Sequence, residues 1–415
     1  MKIKKLVVKN YKVFDHLELD FTDKNGEVLD TIVLAGLNGS GKTTVLELLR
    51  DLIDGNTPQY LRVDTEIRLE ILFSKQVLGD AKKFIDSWNN DTFLSIELYI
   101  NRYAILIFDF KPKLSKPLSF ENLGGVMYSL LKEFNPPIYF YSNEKNEDIN
   151  KENSYKVIGT SFSTHSQSII QSILGKIQKQ VFDNPDQTPR SIFIQKVNDL
   201  NKIFKNLDVK SKLIEVSDKD LIFESVNGQK IGFDDLSSGE KMLYFMGFTL
   251  NQYNPQDALI MVDEPEDSLH PKWQQQIVPF FNNVGTNNQV ILATHSPQII
   301  ASVHPESLFV LAINDETHRV EAINMADEHK HSFGVDPNRI LSEIMGAPIR
   351  DFQVQQRINA LSDMIKQAEF NPSVVDLSNV EKEVDALAED FGKQDATIMR
   401  FRNELRLLKR KTVVA

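Results

Sequence analysis

The most constraining stretch of this 415-residue chain is Gly36-Leu37-Asn38-Gly39-Ser40-Gly41-Lys42-Thr43-Thr44. Before it runs Thr31-Ile32-Val33-Leu34-Ala35, nearly continuous in apolar residues, as expected of a strand buried on both faces. After it, Val45, Leu48, Leu49 and Ile53 recur at helical spacing, which predicts an amphipathic helix ended by Gly55-Asn56. Strand, glycine loop and helix in that order, with the spacing Gly36-x4-Gly41-Lys42-Thr43, fit a phosphate-binding loop. The glycines let successive backbone N–H groups turn inward around an anion, and the helix N-terminus adds a positive end. Lys42 reaches the β- and γ-phosphate oxygens, and the Thr43 hydroxyl is suited to ligate Mg²⁺. Such a unit commits the chain to an α/β fold around a buried, mostly parallel sheet.

Two later apolar runs also read as buried strands that end in polar residues. Ala258-Leu259-Ile260-Met261-Val262 delivers Asp263 and Glu264 at a strand's carboxyl end, with Pro265 next. Beside a phosphate loop, Asp263 is expected to hold Mg²⁺, mostly through water, and Glu264 to orient or deprotonate an attacking water. Gln289-Val290-Ile291-Leu292-Ala293 delivers His295, placed to touch a γ-phosphate. Taken singly, an acidic pair at a strand end is an ordinary turn and a lone histidine a satisfied structural residue. The loop upstream is what makes them candidates. Leu236-Ser237-Ser238-Gly239-Glu240 precedes a helix rich in Met242, Leu243, Phe245 and Met246. It is either a common helix cap or a second anion site built from hydroxyls and N–H groups at a helix N-terminus.

In chain order, these four elements resemble the ATP-binding-cassette (ABC) ATPases. Asn38 to Thr44 is similar to their Walker A motif, Leu236 to Glu240 to their signature, Asp263-Glu264-Pro265 to Walker B and His295 to the switch histidine. The resemblance implies ATP and Mg²⁺ as cofactors, with Gly36, Asn38, Gly39, Ser40, Gly41, Lys42, Thr43 and Thr44 around the nucleotide. It also implies a homodimer, or a higher homo-oligomer built through the ATP sites, in which two chains sandwich two ATPs. Lys42, Thr43, Asp263, Glu264 and His295 then come from one chain, and Ser237 and Gly239 from the other. That family's glutamine loop has no assigned counterpart; Gln59, in a turn-like Asn56-Thr57-Pro58 context, is nearest.

Other stretches narrow the branch. Asp267-Ser268-Leu269-His270-Pro271 departs from the transporter pattern and is similar to the overcoming-lysogenization-defect (OLD) nucleases and their relatives. The opening Leu6-x-Val8-x-Asn10-Tyr11-Lys12-x-Phe14 resembles recombination and chromosome-maintenance (SMC) ATPases, in which a basic residue at the position of Lys12 approaches the nucleotide. Fewer than about 200 residues separate Walker A from the signature, too few for an extended coiled-coil arm. The residues after His295 lack a Glu-Gly followed by spaced aspartates, so no nuclease site of the chain's own is expected. Phe333-Gly334-x4-Arg339-Ile340-Leu341-x2-Ile344-Met345-Gly346 resembles the end of the ATPase subunits of Septu-type and retron-associated antiphage systems. In those systems a separate HNH-type nuclease subunit supplies the cutting chemistry. A RecF-like recombination and repair clamp, an ABC transporter ATPase and an ATP-bound scaffold that does not hydrolyse are the alternatives.

The expected fold is thus an α/β P-loop NTPase of ABC-ATPase head type with an antiparallel strand layer, an inserted helical lobe and a C-terminal helical tail. The expected parts are 1–60 (head, with Walker A), 61–230 (strand layer and helical lobe), 231–345 (head, with signature, Walker B and switch histidine) and 346–415 (helical tail). The absence of Cys excludes disulfides, zinc ribbons, a zinc-hook dimeriser and thiol nucleophiles. Lys plus Arg number 47 against 58 Asp plus Glu, a net charge of −11 that argues against a chain coated in nucleic acid. Candidate nucleic-acid contacts are confined to Ile170–Lys212, with eight basic against four acidic residues, and to the Arg400–Lys411 end. His329 and His331, near Asp327 and Glu328, read as a polar loop rather than a metal site. The basic N-terminus lacks the apolar core of a signal peptide, and no stretch reaches transmembrane length, so a cytoplasmic chain without membrane contact is expected.

Overall fold

The computed structural model describes residues 1–53, 58–74, 93–100, 106–111, 138–142, 155–159, 162–217, 220–314, 317, 319–328, 331–347, 350–370 and 376–414. The expected helix stop at Gly55-Asn56 and the residue His329 lie outside them. The chain forms two compact units, Met1–Ile340 and Leu341–Ala415.

In chain order, the strands of the first unit are β1 (Lys2–Tyr11), β2 (Phe14–Asp20), β3 (Thr31–Ala35), β4 (Leu61–Ser74), β5 (Phe93–Ile100), β6 (Leu106–Lys111), β7 (Ile138–Ser142) and β8 (Tyr155–Gly159). They continue with β9 (Lys212–Val216), β10 (Leu221–Glu224), β11 (Lys230–Ile231), β12 (Leu259–Asp263), β13 (Gln289–Thr294), β14 (Leu308–Ile313) and β15 (Val320–Asn324). The central sheet has the order β15-β14-β3-β13-β12-β7-β8, with every pairing parallel except β14 with β15. Its middle strands are the three apolar runs of the sequence, and β12 and β13 are buried along their whole length. Continuous burial is why these runs do not alternate. Ala35 pairs with Thr294, and Ala293 with Asp263, so the three strands end side by side.

A second sheet, β2-β1-β4-β5-β6, is antiparallel throughout. Ile3, Leu6 and Val8 of β1 turn inward and join one core with Ile32 and Leu34 of β3 and with Val45, Leu48 and Leu49 of the helix Lys42–Ile53. β1 runs on through the Asn10-Tyr11 pair where sequence pattern places the joint, and the chain reverses at Lys12-Val13. Lys12 supplies a positive φ (48°) in this tight reversal, and Asn10 (φ 52°) marks the irregularity where the pairing of β1 with β4 shifts register. Buried Gln289 ties this sheet to the central one. Its Oε1 accepts the Ile3 N–H (2.6 Å), and its Nε2 donates to the carbonyls of Ile3 and Leu29 (both 2.9 Å).

The central sheet also recruits β7 and β8 from the middle of the chain, beyond the segments on either side from which the head was expected to form. The lobe helices Phe162–Asp183 and Pro189–Lys202 pack on the helix Ser238–Tyr253. Phe204, just past the second, stacks among Tyr244, Phe248 and Phe280 at centroid distances of 4.6, 5.7 and 6.0 Å. A small sheet, β11-β10-β9, completes the unit.

The second unit is helical, with helices Phe352–Phe370, Leu377–Phe391 and Ala396–Val414 around Ile358, Leu361, Val384, Leu387, Ile398 and Phe401. The basic last helix is partly neutralised within this unit. Arg402 pairs with Asp385 (2.7 Å) and Lys409 with Glu381 (2.6 Å), both on the preceding helix. Among the described residues, no helix is long and apolar enough to cross a membrane.

Candidate functional site

The glycine loop is shaped by what crowds it. Gly41 has φ +91°, and a Cβ there would lie 2.5 Å from Phe14 Cζ and 2.9 Å from Val13 Cγ2. Only glycine lets the β1–β2 hairpin press this close to the loop. Gly36 is equally confined, with a Cβ position 2.4 Å from the Leu311 carbonyl oxygen. Lys42 opens the helix and curls back, its Nζ donating to the carbonyls of Gly36 (2.9 Å) and Leu37 (3.1 Å). Burial pushes its pKa down, while the charges of Glu264, Asp263 and Glu266 pull it back up. A buried cation whose hydrogen bonds run to two carbonyls of a glycine loop is poised for a polyanion. The buried Ser40 Oγ has no hydrogen-bond partner.

Thr43 Oγ1 donates to Asp263 Oδ2 at 2.7 Å, joining residues 220 positions apart in the chain. Asp263 is buried at the end of β12, and its Oδ1 has no partner. Burial lifts its carboxyl to about 6, opposed by the Thr43 hydrogen bond. A hydroxyl and a carboxylate with an unpartnered oxygen, side by side at a phosphate loop, form the hard-oxygen donor set that suits Mg²⁺. The residues present therefore fit the ion.

The next residues turn sharply. Glu264 adopts φ 49° while its N–H donates to the Ala293 carbonyl (2.8 Å), a conformation unfavourable for a residue with a Cβ. Its Oε1 lies 3.4 Å from His295 Nδ1, and Glu266 Oε1 lies 3.4 Å from the same nitrogen. Glu266 is buried, and its Oε1 accepts the Thr294 hydroxyl (2.6 Å) and the His295 N–H (2.8 Å). Burial drives its pKa up, and the hydrogen bonds from Thr294 and His295 oppose that. The structure thus gathers Gly36, Asn38, Gly39, Ser40, Gly41, Lys42, Thr43 and Thr44 in one loop and helix start, with Asp263 against Thr43 and with Glu264 against His295. Sequence pattern does not single out Glu266. The available signal is a second acid past the proline, close in space to a strand ending in Thr-His.

Lys12 sits beside the same helix rather than in the loop. Its Nζ pairs with Glu47 (3.0 Å) and lies 5.6 Å from the centroid of the Tyr60 ring. Gln59 is in an exposed turn leading into β4, in the antiparallel sheet. Ser237 and Gly239 form another locus. Ser237 caps the helix Ser238–Tyr253, its Oγ accepting the Glu240 N–H (3.3 Å) and donating to Glu240 Oε2 (2.7 Å). A Cβ on Gly239 would fall 2.6 Å from the Ser268 carbonyl oxygen, so the loop after Walker B packs directly on this turn. Here Lys210, Ser237, Gly239, His270 and Trp273 line a groove of about 580 Å³.

A parallel sheet whose adjacent middle strands end in a phosphate loop, an acidic pair and a histidine defines a P-loop nucleotide-binding head of the ABC type. The family described as "AAA domain, putative AbiEii toxin, Type IV TA system" matches residues 32–301, about two thirds of the chain, and the chain belongs to it. Its relatives include "Retron Ec83 probable ATPase" of Escherichia coli, 23% identical over 399 residues and covering 75% of this chain and 71% of that protein. "Septu protein PtuA" of Bacillus mycoides (strain KBAB4) is 23% identical over 328 residues, covering 76% of this chain but 41% of the relative. The resemblance to retron-associated and Septu ATPases drawn from the motifs is thus borne out. Among solved structures, the SMC head domain from Thermotoga maritima matches with a TM-score of 0.43 at 13% identity, covering 78% of this chain and 99% of that one.

Proposed function

We propose that this chain is the ATP-binding and ATP-hydrolysing subunit of an antiphage defence system, which dimerises around ATP and regulates a separate nuclease. The observation that carries the reading is the 2.7 Å contact between Thr43 and Asp263, which joins the helix start that holds the buried Lys42 to the strand end that leads into Glu264 and its neighbour His295. In this reading Lys42 exchanges its two carbonyls for phosphate oxygens, and the loop N–H groups and Ser40 Oγ complete the cradle. Thr43 and Asp263 would hold Mg²⁺, which neutralises charge on the β- and γ-phosphates when bound. Glu264 orients the attacking water and takes its proton. His295 turns Nδ1 toward the carboxylates, which leaves Nε2 for the γ-phosphate.

Ser237 and Gly239 then meet the γ-phosphate of a second copy's ATP, and the capped helix N-terminus favours that negative charge. Because the γ-phosphate is the only difference between the two nucleotide states, its binding energy separates closed from open dimers and hydrolysis resets the switch. The retron and Septu relatives support a role in phage defence, and an HNH-type nuclease is the partner expected from the resemblance. Glu264→Gln should retain ATP and accumulate dimers in sedimentation velocity, and Lys42→Ala should lose ATP binding. Unchanged dimerisation and unchanged hydrolysis in Glu264→Gln would remove Glu264 from its role. Co-purification with a nuclease encoded beside it tests the partner; ATP-dependent DNA affinity without any nuclease would favour a clamp instead.

A further inference from the structure

Glu266 is a buried carboxylate for which the mechanism above has no use. Its side chain is 5% exposed, and Oε2 is buried without a hydrogen-bond partner. An unpaired buried carboxylate oxygen is costly, so its retention calls for a purpose. Oε1 is held by two donors from the end of β13, the Thr294 hydroxyl and the His295 N–H, and cannot swing away. From that fixed position it stands 3.4 Å from His295 Nδ1, the same distance as Glu264 Oε1, and the buried Nδ1 makes no hydrogen bond to either, so it is within reach of both and committed to neither. One imidazole nitrogen therefore faces two carboxylates, one buried and pinned, the other a third exposed.

We propose that Glu266 is a positioning residue for ATP hydrolysis: it takes the Nδ1–H of His295, fixes the ring with Nε2 toward the γ-phosphate, and so frees Glu264 to act on water. The inference rests on the functional reading above. Without Glu266, the imidazole N–H would have Glu264 as its neighbouring acceptor, and the group meant to receive the water's proton would be engaged. A buried carboxylate that orients a histidine through Nδ1 is a general device for fixing tautomer and ring angle. Here it also decides which of two carboxylates the histidine engages. Asp263, Lys42 and Glu264 are the other charged groups facing the pair.

The test is a double-mutant cycle in steady-state ATP hydrolysis by the full chain, with Glu266→Gln, His295→Ala and the combination. The Glu266→Gln side chain keeps an oxygen for the Thr294 and His295 donors but carries no negative charge. We expect Glu266→Gln to lower kcat by about 10–100-fold with KM for ATP within about twofold. The double variant should match His295→Ala, because Glu266 acts through the ring. The melting temperature of Glu266→Gln should not fall, which separates positioning from structural support. Thr294→Val, which removes one donor to Oε1, is the second variant. It should lower kcat several-fold and add nothing on top of Glu266→Gln. Wild-type kcat in Glu266→Gln, or a defect that multiplies that of His295→Ala, overturns the proposal. A wild-type chain that does not hydrolyse ATP overturns the functional reading and this inference together, whereas an active wild type matched by Glu266→Gln overturns the inference alone.

Discussion

Asp263 should make the ligand-free chain lose stability as pH rises from about 4 through about 6. The residue is 9% exposed, and burial moves its pKa from 3.8 to about 6 against the pull of the Thr43 hydroxyl. A carboxyl with a higher pKa folded than unfolded binds its proton more tightly in the folded state. That contribution is fully present below the unfolded pKa and is lost as pH climbs through about 6. A shift of about two units corresponds to about 3 kcal/mol, of which about half disappears between pH 5 and 7.5. Asp263→Asn preserves the shape and the acceptor for Thr43 but has no proton to lose. Urea unfolding of the wild type and the variant, at steps from pH 5 to 7.5, isolates this contribution because the other titrating groups are common to both. The advantage of the variant should widen by about 1.5 kcal/mol across that range. Saturating Mg²⁺ and ATP should flatten the wild-type slope, since a bound cation stabilises the ionised carboxylate. Parallel pH profiles for the two proteins would refute the reasoning.

Gly41→Ala places a methyl in the left-handed region and into the Phe14 ring, which should cost about 2–5 kcal/mol from backbone strain and overpacking together. A urea midpoint within error of wild type would show that the hairpin yields. Ser237→Ala removes a helix cap and should cost about 1 kcal/mol. Under the proposed function it should also abolish ATP-dependent dimers while equilibrium binding of ATP to the monomer is unchanged; dimers that persist at wild-type ATP concentrations would contradict this.

Much of the site is legible in the sequence because its chemistry is local. The loop, the acidic pair and the histidine each follow an apolar run, and a parallel sheet necessarily aligns the ends of such runs. Glu266 is not legible, for the opposite reason. A glutamate in a Glu-Pro-Glu-Asp turn is ordinarily solvated. What buries it is the left-handed Glu264 residue and the Thr294-His295 backbone arriving from a strand some thirty residues later. The place of β7 in the central sheet is hidden as well, since Ile138-Tyr139-Phe140-Tyr141-Ser142 has the length and composition of a strand in either sheet. The basic character of the last helix is plain in the sequence, but its pairing with Asp385 and Glu381 requires knowing which helix faces it. Lys12 shows the same limit: the residue is visible, its partner Glu47 is not.

The Thr43–Asp263 contact has a consequence for how the molecule is made. The two residues are 220 positions apart, so at synthesis rates of about 5–20 residues per second the second leaves the ribosome roughly 10–40 s after the first. Until then the phosphate loop has neither its facing carboxylate nor β12 and β13 to complete the sheet beside it. Closing so long a segment costs chain entropy before any contact repays it. Nucleotide competence therefore arrives late and all at once, and a truncated or nascent chain carrying an intact glycine loop should be silent toward ATP.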